Sequence, residues 1–306
     1  SSHALDQGRL DGLSIDAAVF SNLSRDHLDY HSSMEAYCEA KLRLFRDFAP
    51  AVRIFNADDA LLTSHRNVWG KAGLGISCEG ALADIQVLVK GAAPLALQLK
   101  TPWGATHIQS ALAGRFNAFN LSAAVTLLAA MGLPFDAVIS AAEQVDPVRG
   151  RLQKVEFESD IAVFVDYAHT PDALNRALCA LSDFGVKGHI WVVFGCGGDR
   201  DRGKRAEMGA TAAAIADRLV VTSDNPRSES PVAIIDDILE GCRHVVPMVE
   251  VDRAAAIALA VSQADTGDVV LIAGKGHETY QEVGSVRQPF CDSDHARKNL
   301  AIRRAA

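Results

Sequence analysis

The stretch Ile161-Ala-Val-Phe-Val-Asp-Tyr-Ala-His-Thr-Pro171 decides the fold. Its opening apolar run suits a strand buried on both faces, and the polar loop that follows ends at a proline able to open a helix. The same plan recurs three times. His189-Ile-Trp-Val-Val-Phe194 leads into Gly195-Cys-Gly-Gly-Asp-Arg-Asp201, and Arg218-Leu-Val-Val-Thr222 into Ser223-Asp-Asn-Pro-Arg227. Asp268-Val-Val-Leu-Ile-Ala273 leads into Gly274-Lys-Gly-His-Glu278. Helical periodicity between these runs makes them βα units, hence a parallel sheet. Ser230-Pro231 reads as an N-cap followed by proline at the first helical position, with the helix running to about Arg243. In such a sheet ligands lie beyond the carboxyl ends of the strands, so the four loops should converge on one edge.

Working outward, the first half is less regular. Strands are expected near Ala17 to Ser21 and Val52 to Phe55, a helix from about Ser33 to Arg46, and antiparallel alternation over residues 73 to 110. The segment Asn117 to Met131 is apolar nearly all round, which predicts a helix packed on both sides and stopped by Gly132 and Pro134. Asp146-Pro-Val-Arg-Gly-Arg151 has linker composition, and a domain boundary is placed there.

A chain of 306 residues exceeds what one core usually organises, so two domains are expected. No apolar run approaches the roughly 20 residues of a membrane helix, which argues against a membrane span. A net charge of -8 without a basic stripe argues against a nucleic-acid partner. Six cysteines are scattered without a C-x-x-C pair, so neither a zinc site nor a disulfide framework is indicated, and a reduced cytoplasm is the expected location. Ser1-Ser2-His3 opens the chain without an initiator Met or signal segment, and the reading is that it begins mid-protein.

Several motifs carry chemistry. Gly198-Asp-Arg-Asp-Arg-Gly-Lys-Arg205 nearly matches the phosphate loop G-x-x-x-x-G-K-[ST], but Arg205 stands where a hydroxyl would hold magnesium, so a loop for another anion or a tight glycine turn is preferred. Asp224-Asn225-Pro226-Arg227 is either a solvated proline turn or, given its place after a strand, a site where a planar guanidinium grips a carboxylate. Asn22-Leu-Ser-Arg-Asp-His-Leu-Asp-Tyr-His31 could ligate a metal or simply bond its own backbone. Asn117 and Asn120 share a helix face and could cap it or hold a base. Lys41 reads, in isolation, as a surface lysine.

Ser1-Ser2-His3, Asn22 to His31, Lys41, Asn56-Ala-Asp-Asp59, Gly114-Arg-Phe-Asn117 with Asn120, Gly150-Arg151 and the four C-terminal loops, in this order and spacing, resemble the Mur ligase family over nearly the whole chain. The resemblance implies an α/β fold: the remainder of a central ATP-binding mixed-sheet domain (1–148) and a C-terminal Rossmann-like, amino-acid-binding domain (149–306). It also implies ATP-dependent amide ligation through an acyl phosphate, with Mg2+ offsetting the phosphate charges. Of the family's branches it is most similar to the one that adds meso-diaminopimelate to UDP-N-acetylmuramoyl-L-alanyl-D-glutamate in peptidoglycan synthesis.

By matching position, Ser1, Gln7 and Arg9 would contact the UDP-muramoyl substrate. His27 would hold magnesium, and Lys41 matches the family lysine that is carbamylated, a change that turns a cation into a metal-binding carboxylate. Asn117, Asn120, Arg151, Asp166 and His169 match nucleotide positions, Asp166 on the ribose. Arg200, Asp224, Asn225, Pro226, Arg227, Gly274 and Glu278 match positions that hold the incoming amino acid. Physical reasoning agrees at Arg227, because meso-diaminopimelate is lysine plus a distal carboxylate, and only that carboxylate calls for an arginine.

The family's G-T-N-G-K-T phosphate loop does not occur in this sequence. The chain is therefore expected to hold the amino acid site whole and the ATP and uridine sites in part, to be inactive alone, and to be a monomer. Rival readings are a same-fold ligase for another amine and a noncatalytic amino-acid-binding fragment. A nicotinamide-dependent oxidoreductase is a further rival, but the sequence lacks the G-x-G-x-x-G turn and following acidic residue that this cofactor requires.

Overall fold

The computed structural model describes residues 1–306 except 183, 185, 244 and 306. Two compact units, Ser1–Asp146 and Pro147–Ala306, each carry a six-stranded sheet.

In the first unit, α1 (Ser2–Asp6) precedes β1 (Ala17–Phe20), α2 (Met34–Arg46), β2 (Val52–Asn56), α3 (Ala60–Ser64) and α4 (Arg66–Trp69). Then come β3 (Gly73–Ser77), β4 (Ile85–Ala92), β5 (Leu95–Thr101), β6 (Gly104–Ser110), α5 (Phe116–Ala130) and α6 (Phe135–Glu143). Ser33 caps α2 by accepting from the Ala36 amide at 3.2 Å, which starts the helix where the sequence places it. The sheet runs β1 to β6 in order. Its first four strands are parallel and only β4, β5 and β6 are antiparallel, so the expectation for residues 73 to 110 fails at β3. There the strand lies between two parallel neighbours rather than in a hairpin. Helix α5 is buried along most of its length and packs on β1 through β5, as its all-round apolar surface requires.

The second unit contains β7 (Gln153–Lys154), β8 (Ala162–Asp166), α7 (Pro171–Ser182), β9 (Ile190–Phe194), α8 (Gly203–Ile215), β10 (Arg218–Val221) and α9 (Pro231–Leu239). It continues with β11 (Met248–Val249), α10 (Arg253–Gln263), β12 (Val269–Ala273), the hairpin β13 (Tyr280–Val283) and β14 (Val286–Pro289), and α11 (Asp292–Ala305). The order β11-β10-β9-β12-β8-β7 is parallel except for the edge strand β7. Val163, Val165, Val193, Val220 and Ile272 bury one face of this sheet in a core shared with α10 and α11. Alternation sends their neighbours to the other face.

The chain steps outward from β9 to β10 and β11, then returns to insert β12 between β9 and β8. The loops after β9 and β12 therefore meet at the point where strand order reverses, the usual ligand crevice of an open parallel sheet. Helix α9 ends at Leu239 rather than near Arg243. Gly241 follows, and a Cβ there would lie 1.9 Å from the Ala206 carbonyl oxygen of α8, so the chain turns off against its neighbour. Ser230 occupies the N-cap position, but its hydroxyl makes no capping bond.

Candidate functional site

At the carboxyl edge of the second sheet two loops are cross-tied. Gly198 N donates to Asn225 O at 2.9 Å, and Arg227 Nη1 donates to Gly198 O at 2.7 Å. A Cβ on Gly198 would meet Pro226 O at 2.0 Å, so only glycine permits this approach. A Cβ on Gly197 would lie 3.0 Å from Arg227 Nη1 and 3.8 Å from Arg200 Cγ, which places both arginine side chains over the same glycine. Arg227 itself adopts a left-handed φ of 50°, held by its amide N–H donating to Glu282 O (3.2 Å) and by Gly284 N donating to its carbonyl (2.8 Å). The β13–β14 hairpin thus clasps the loop that carries it.

Gly203-Lys204-Arg205 opens α8, as a phosphate loop would, but Arg205 has another use. Its buried guanidinium donates to Glu229 Oε1 (2.8 Å) and Asp237 Oδ2 (2.8 Å) and to the Gly197 carbonyl (3.3 Å). Arg205 therefore braces the glycine loop, and its hydrogen bonds hold Glu229 down to about 2.

Next to these loops, Lys275 is wholly buried and donates to Asn225 Oδ1 (2.8 Å) and Glu278 Oε2 (2.9 Å). Asn225 Nδ2 donates to the same Glu278 oxygen at 2.9 Å. Burial by itself would raise the Glu278 pKa, but hydrogen bonds from Lys275 and Asn225 and the charges of Lys275 and Arg227 outweigh it, and the net shift is downward. Gly274 has φ +115°, and a Cβ there would meet Asp224 Oδ2 at 2.5 Å. Asp224, Asn225, Arg227, Gly274 and Glu278, all expected at an amino acid site, thus share one edge. Pro226 contributes its carbonyl to Glu229 N (3.0 Å) rather than a side-chain contact.

Around the end of β8, Asp166 is buried and accepts from Leu152 N (2.6 Å) and Ala168 N (2.7 Å), with burial pushing its pKa up. The Arg151 guanidinium sits over the Tyr167 ring at 4.8 Å. His169 and His277 stand 4.7 Å and 5.3 Å from the same ring, and His169 Nδ1 lies 2.8 Å from Tyr167 O. Tyr167 is the centre of this group.

In the first unit, the 22–31 loop folds onto α2. His27 has φ 57°, and its amide donates to Asp26 Oδ1 at 2.9 Å. Tyr37 and Lys41, one helical turn apart, face the loop: the rings of His27 and Tyr37 are 5.9 Å apart, and Lys41 Nζ lies 4.9 Å from the Tyr37 ring and 5.7 Å from Phe20. Burial lowers the pKa of Lys41 and of His27 and pushes the Tyr37 hydroxyl up to about 12. Lys41 is therefore no solvated surface lysine. Ser1 caps α1 through the Ala4 amide (3.2 Å), Gln7 Nε2 donates to the Tyr30 hydroxyl (3.1 Å), and Arg9 is exposed. Asn120 Nδ2 donates to Asn117 Oδ1 (3.2 Å), and Asn117 Nδ2 to Ala113 O (2.7 Å), so the pair is braced at the start of α5.

Sequence reasoning assigned nothing to Lys275 or Tyr167, although both lie inside loops it singled out. A lysine beside glycines gives no sign of burial, and Tyr167 gains meaning only from the three side chains around it.

Residues 1–128 match the Mur ligase middle domain and residues 150–276 the Mur ligase glutamate ligase domain. The UDP-N-acetylmuramoyl-L-alanyl-D-glutamate--2,6-diaminopimelate ligase of Chromobacterium violaceum is 47% identical over 296 residues, covering 95% of this chain and 60% of the relative. That of Neisseria meningitidis serogroup A is 45% identical over 314 residues, covering 99% and 63%. The chain thus spans 60% to 63% of the length of these curated relatives. A solved structure of a ligase of the same name aligns with a TM-score of 0.60 at 39% identity, covering 99% of this chain and 64% of the other. The MurF ligase of Thermotoga maritima in complex with ADP aligns at 0.70 with 16% identity over 97% of this chain and 65% of its own, a likeness of fold alone. Among the described residues no helix is long and apolar enough to cross a membrane. On both domain matches and on these relatives, the chain belongs to the Mur ligase family, of which it carries the middle and C-terminal domains.

Proposed function

We propose that this chain works in a cytoplasmic, ATP-dependent ligase that adds meso-diaminopimelate to UDP-N-acetylmuramoyl-L-alanyl-D-glutamate. The observation that carries the reading is the Arg227 guanidinium beside Gly197, where the Arg200 side chain also packs, with the Arg227 charge acting on the Glu278 carboxylate. Two cations and an anion at one edge suit a ligand with two carboxylates and an ammonium, and lysine lacks the second carboxylate. In the reaction the D-glutamate γ-carboxylate attacks the γ-phosphorus of ATP and ADP leaves. The amine then attacks the acyl carbon, phosphate leaves and the nitrogen loses its proton.

Residues 1–148 are assigned to the ATP-binding domain and 149–306 to the amino-acid-binding domain. Asn117, Asn120, Arg151, Asp166 and His169 are assigned to the nucleotide, and the ring of Tyr167 with Arg151 offers a surface for its planar parts. Ser1, Gln7 and Arg9 are assigned to the UDP-muramoyl substrate. His27 suits a divalent cation, because burial lowers its pKa and so favours the uncharged imidazole, whose ring nitrogen can offer a lone pair. Lys41 suits one only as a carbamate, and its buried amine favours the neutral form from which a carbamate grows. Magnesium held there would offset phosphate charge.

Calorimetric titration of the chain with meso-diaminopimelate and L-lysine, repeated on Arg227→Ala, tests the assignment. Selective binding of meso-diaminopimelate, lost in the variant, is expected. A preference for lysine would overturn it.

A further inference from the structure

We propose that Lys275 is a positioning residue: its buried ammonium fixes Asn225 and Glu278 so that one Glu278 oxygen stays open to receive the ammonium group of an incoming amino acid. The inference rests on the reading of this edge as an amino acid site. It goes further by naming the group that builds the ammonium receptor.

Asn225 Oδ1 accepts from Lys275 Nζ (2.8 Å) and from Glu282 N (2.9 Å). Both are donors, so the amide cannot flip without setting its own N–H groups against them. Its Nδ2 is thereby aimed at Glu278 Oε2 (2.9 Å). That oxygen also accepts from Lys275 Nζ (2.9 Å), so two donors hold it. Glu278 Oε1 has no hydrogen-bond partner among the described residues. Lys275 spends its remaining charge against the Tyr280 ring, whose centroid is 5.5 Å from Nζ. A lysine with no exposed surface, bonded to both an amide and a carboxylate expected at the ligand, is too committed to touch ligand itself.

The charged and titratable groups around Glu278 come from four elements. They are Lys275 in its own loop, Arg227 after β10, Tyr167 after β8 and buried Arg253 at the start of α10. Burial is the largest single influence on Glu278, and removing Lys275 takes away two of the contributions that outweigh it, so Glu278 should take up its proton at higher pH.

The test is Lys275→Met, with Lys275→Gln as a second variant that keeps a donor but no charge should the first fail to fold. The Glu278 carboxyl is followed by 13C NMR against pH without ligand, its signal assigned by its loss in Glu278→Gln. Binding of meso-diaminopimelate is titrated over the same range. The expected result is a Glu278 midpoint moved upward and affinity near neutral pH reduced ~10- to 100-fold, the cost of an unsupported buried group. The loss should deepen as pH falls. An unmoved Glu278 midpoint, or an affinity loss equal at every pH, would overturn the proposal, since either means Lys275 only fills space. If the unaltered chain binds no amino acid, the amino acid reading fails, while the ligand-free titration still decides what Lys275 does to Glu278.

Discussion

Arg253 and Asp292 form a two-point ion pair in which neither side chain has any exposed surface: Nε to Oδ1 is 2.8 Å and Nη2 to Oδ2 is 2.8 Å. Arg253 also donates to the carbonyls of Ser223 (3.5 Å) and Ala273 (2.9 Å), the residues from which the Asp224 and Gly274 loops depart. One guanidinium, at the first residue of α10, therefore ties two strand ends to the first residue of α11. Removing one partner of such a pair strands the other charge in a dry interior. Asp292→Ala should cost about 3–5 kcal/mol of unfolding free energy. Chemical denaturation followed by circular dichroism measures it, and a loss below about 1 kcal/mol would mean the pair is not as buried as described.

Gly197 and Gly198 are adjacent but should respond differently to alanine. At Gly198 the new methyl meets backbone, Pro226 O at 2.0 Å, and the loops must separate. A loss of about 1–3 kcal/mol or more follows from the overpacking. At Gly197 it meets the tip of the Arg227 side chain at 3.0 Å, which can shift by a few tenths of an ångström. Gly197→Ala should keep the melting temperature yet weaken meso-diaminopimelate binding ~10-fold, the size of one weakened charge-assisted bond. Equal stability losses in both variants would contradict this.

Glu229 gives the fold an acid-sensitive tie. Its pKa is brought from 4.5 to about 2, chiefly by hydrogen bonds from Arg205. A carboxylate with a depressed folded-state pKa stabilises above its unfolded value, and that stabilisation disappears as pH falls through the folded value. On the order of 1–2 kcal/mol, allowing for screening at a partly wet rim, should therefore be lost between about pH 5 and pH 2. Glu229→Gln should be less stable at neutral pH and show a flatter decline over that window. Parallel declines in the two proteins would exclude Glu229 as the source.

Lys41 should take up carbon dioxide. Its amine lies in an aromatic cradle where burial lowers its pKa, enriching the neutral form whose lone pair attacks the carbon as the proton departs. Chain equilibrated with 13C-bicarbonate should display a carbamate resonance that Lys41→Arg lacks. The same signal in both proteins would place the carbamate elsewhere.

Much of the architecture is legible in local patterns. The runs at 161, 189, 218 and 268 become β8, β9, β10 and β12 within a residue or two at each end, because a strand buried on both faces leaves an uninterrupted apolar run. The α2 start is legible too, since Ser33 caps through a neighbour three residues away. The parallel setting of β3 is not, because apolar–polar alternation marks the two faces of a strand and not the direction of its neighbours β2 and β4.

The order of apolar runs and loops, with a helix starting near Ser33 and Asp224-Asn225-Pro226-Arg227 after a strand, was determined by sequence alone, because each depends on neighbours within a few residues. What each cation does was decided only in three dimensions. Arg205, Arg227, Arg253 and Lys275 are all basic residues in or beside the loops at one sheet edge, indistinguishable by composition. Folding buries Arg205 and Arg253 against acids drawn from other elements and Lys275 against Glu278 of its own loop, and leaves Arg227 partly open over Gly197. Charge pairing acts through space over a few ångströms, and the insertion of β12 between β9 and β8 sets which charges come that close.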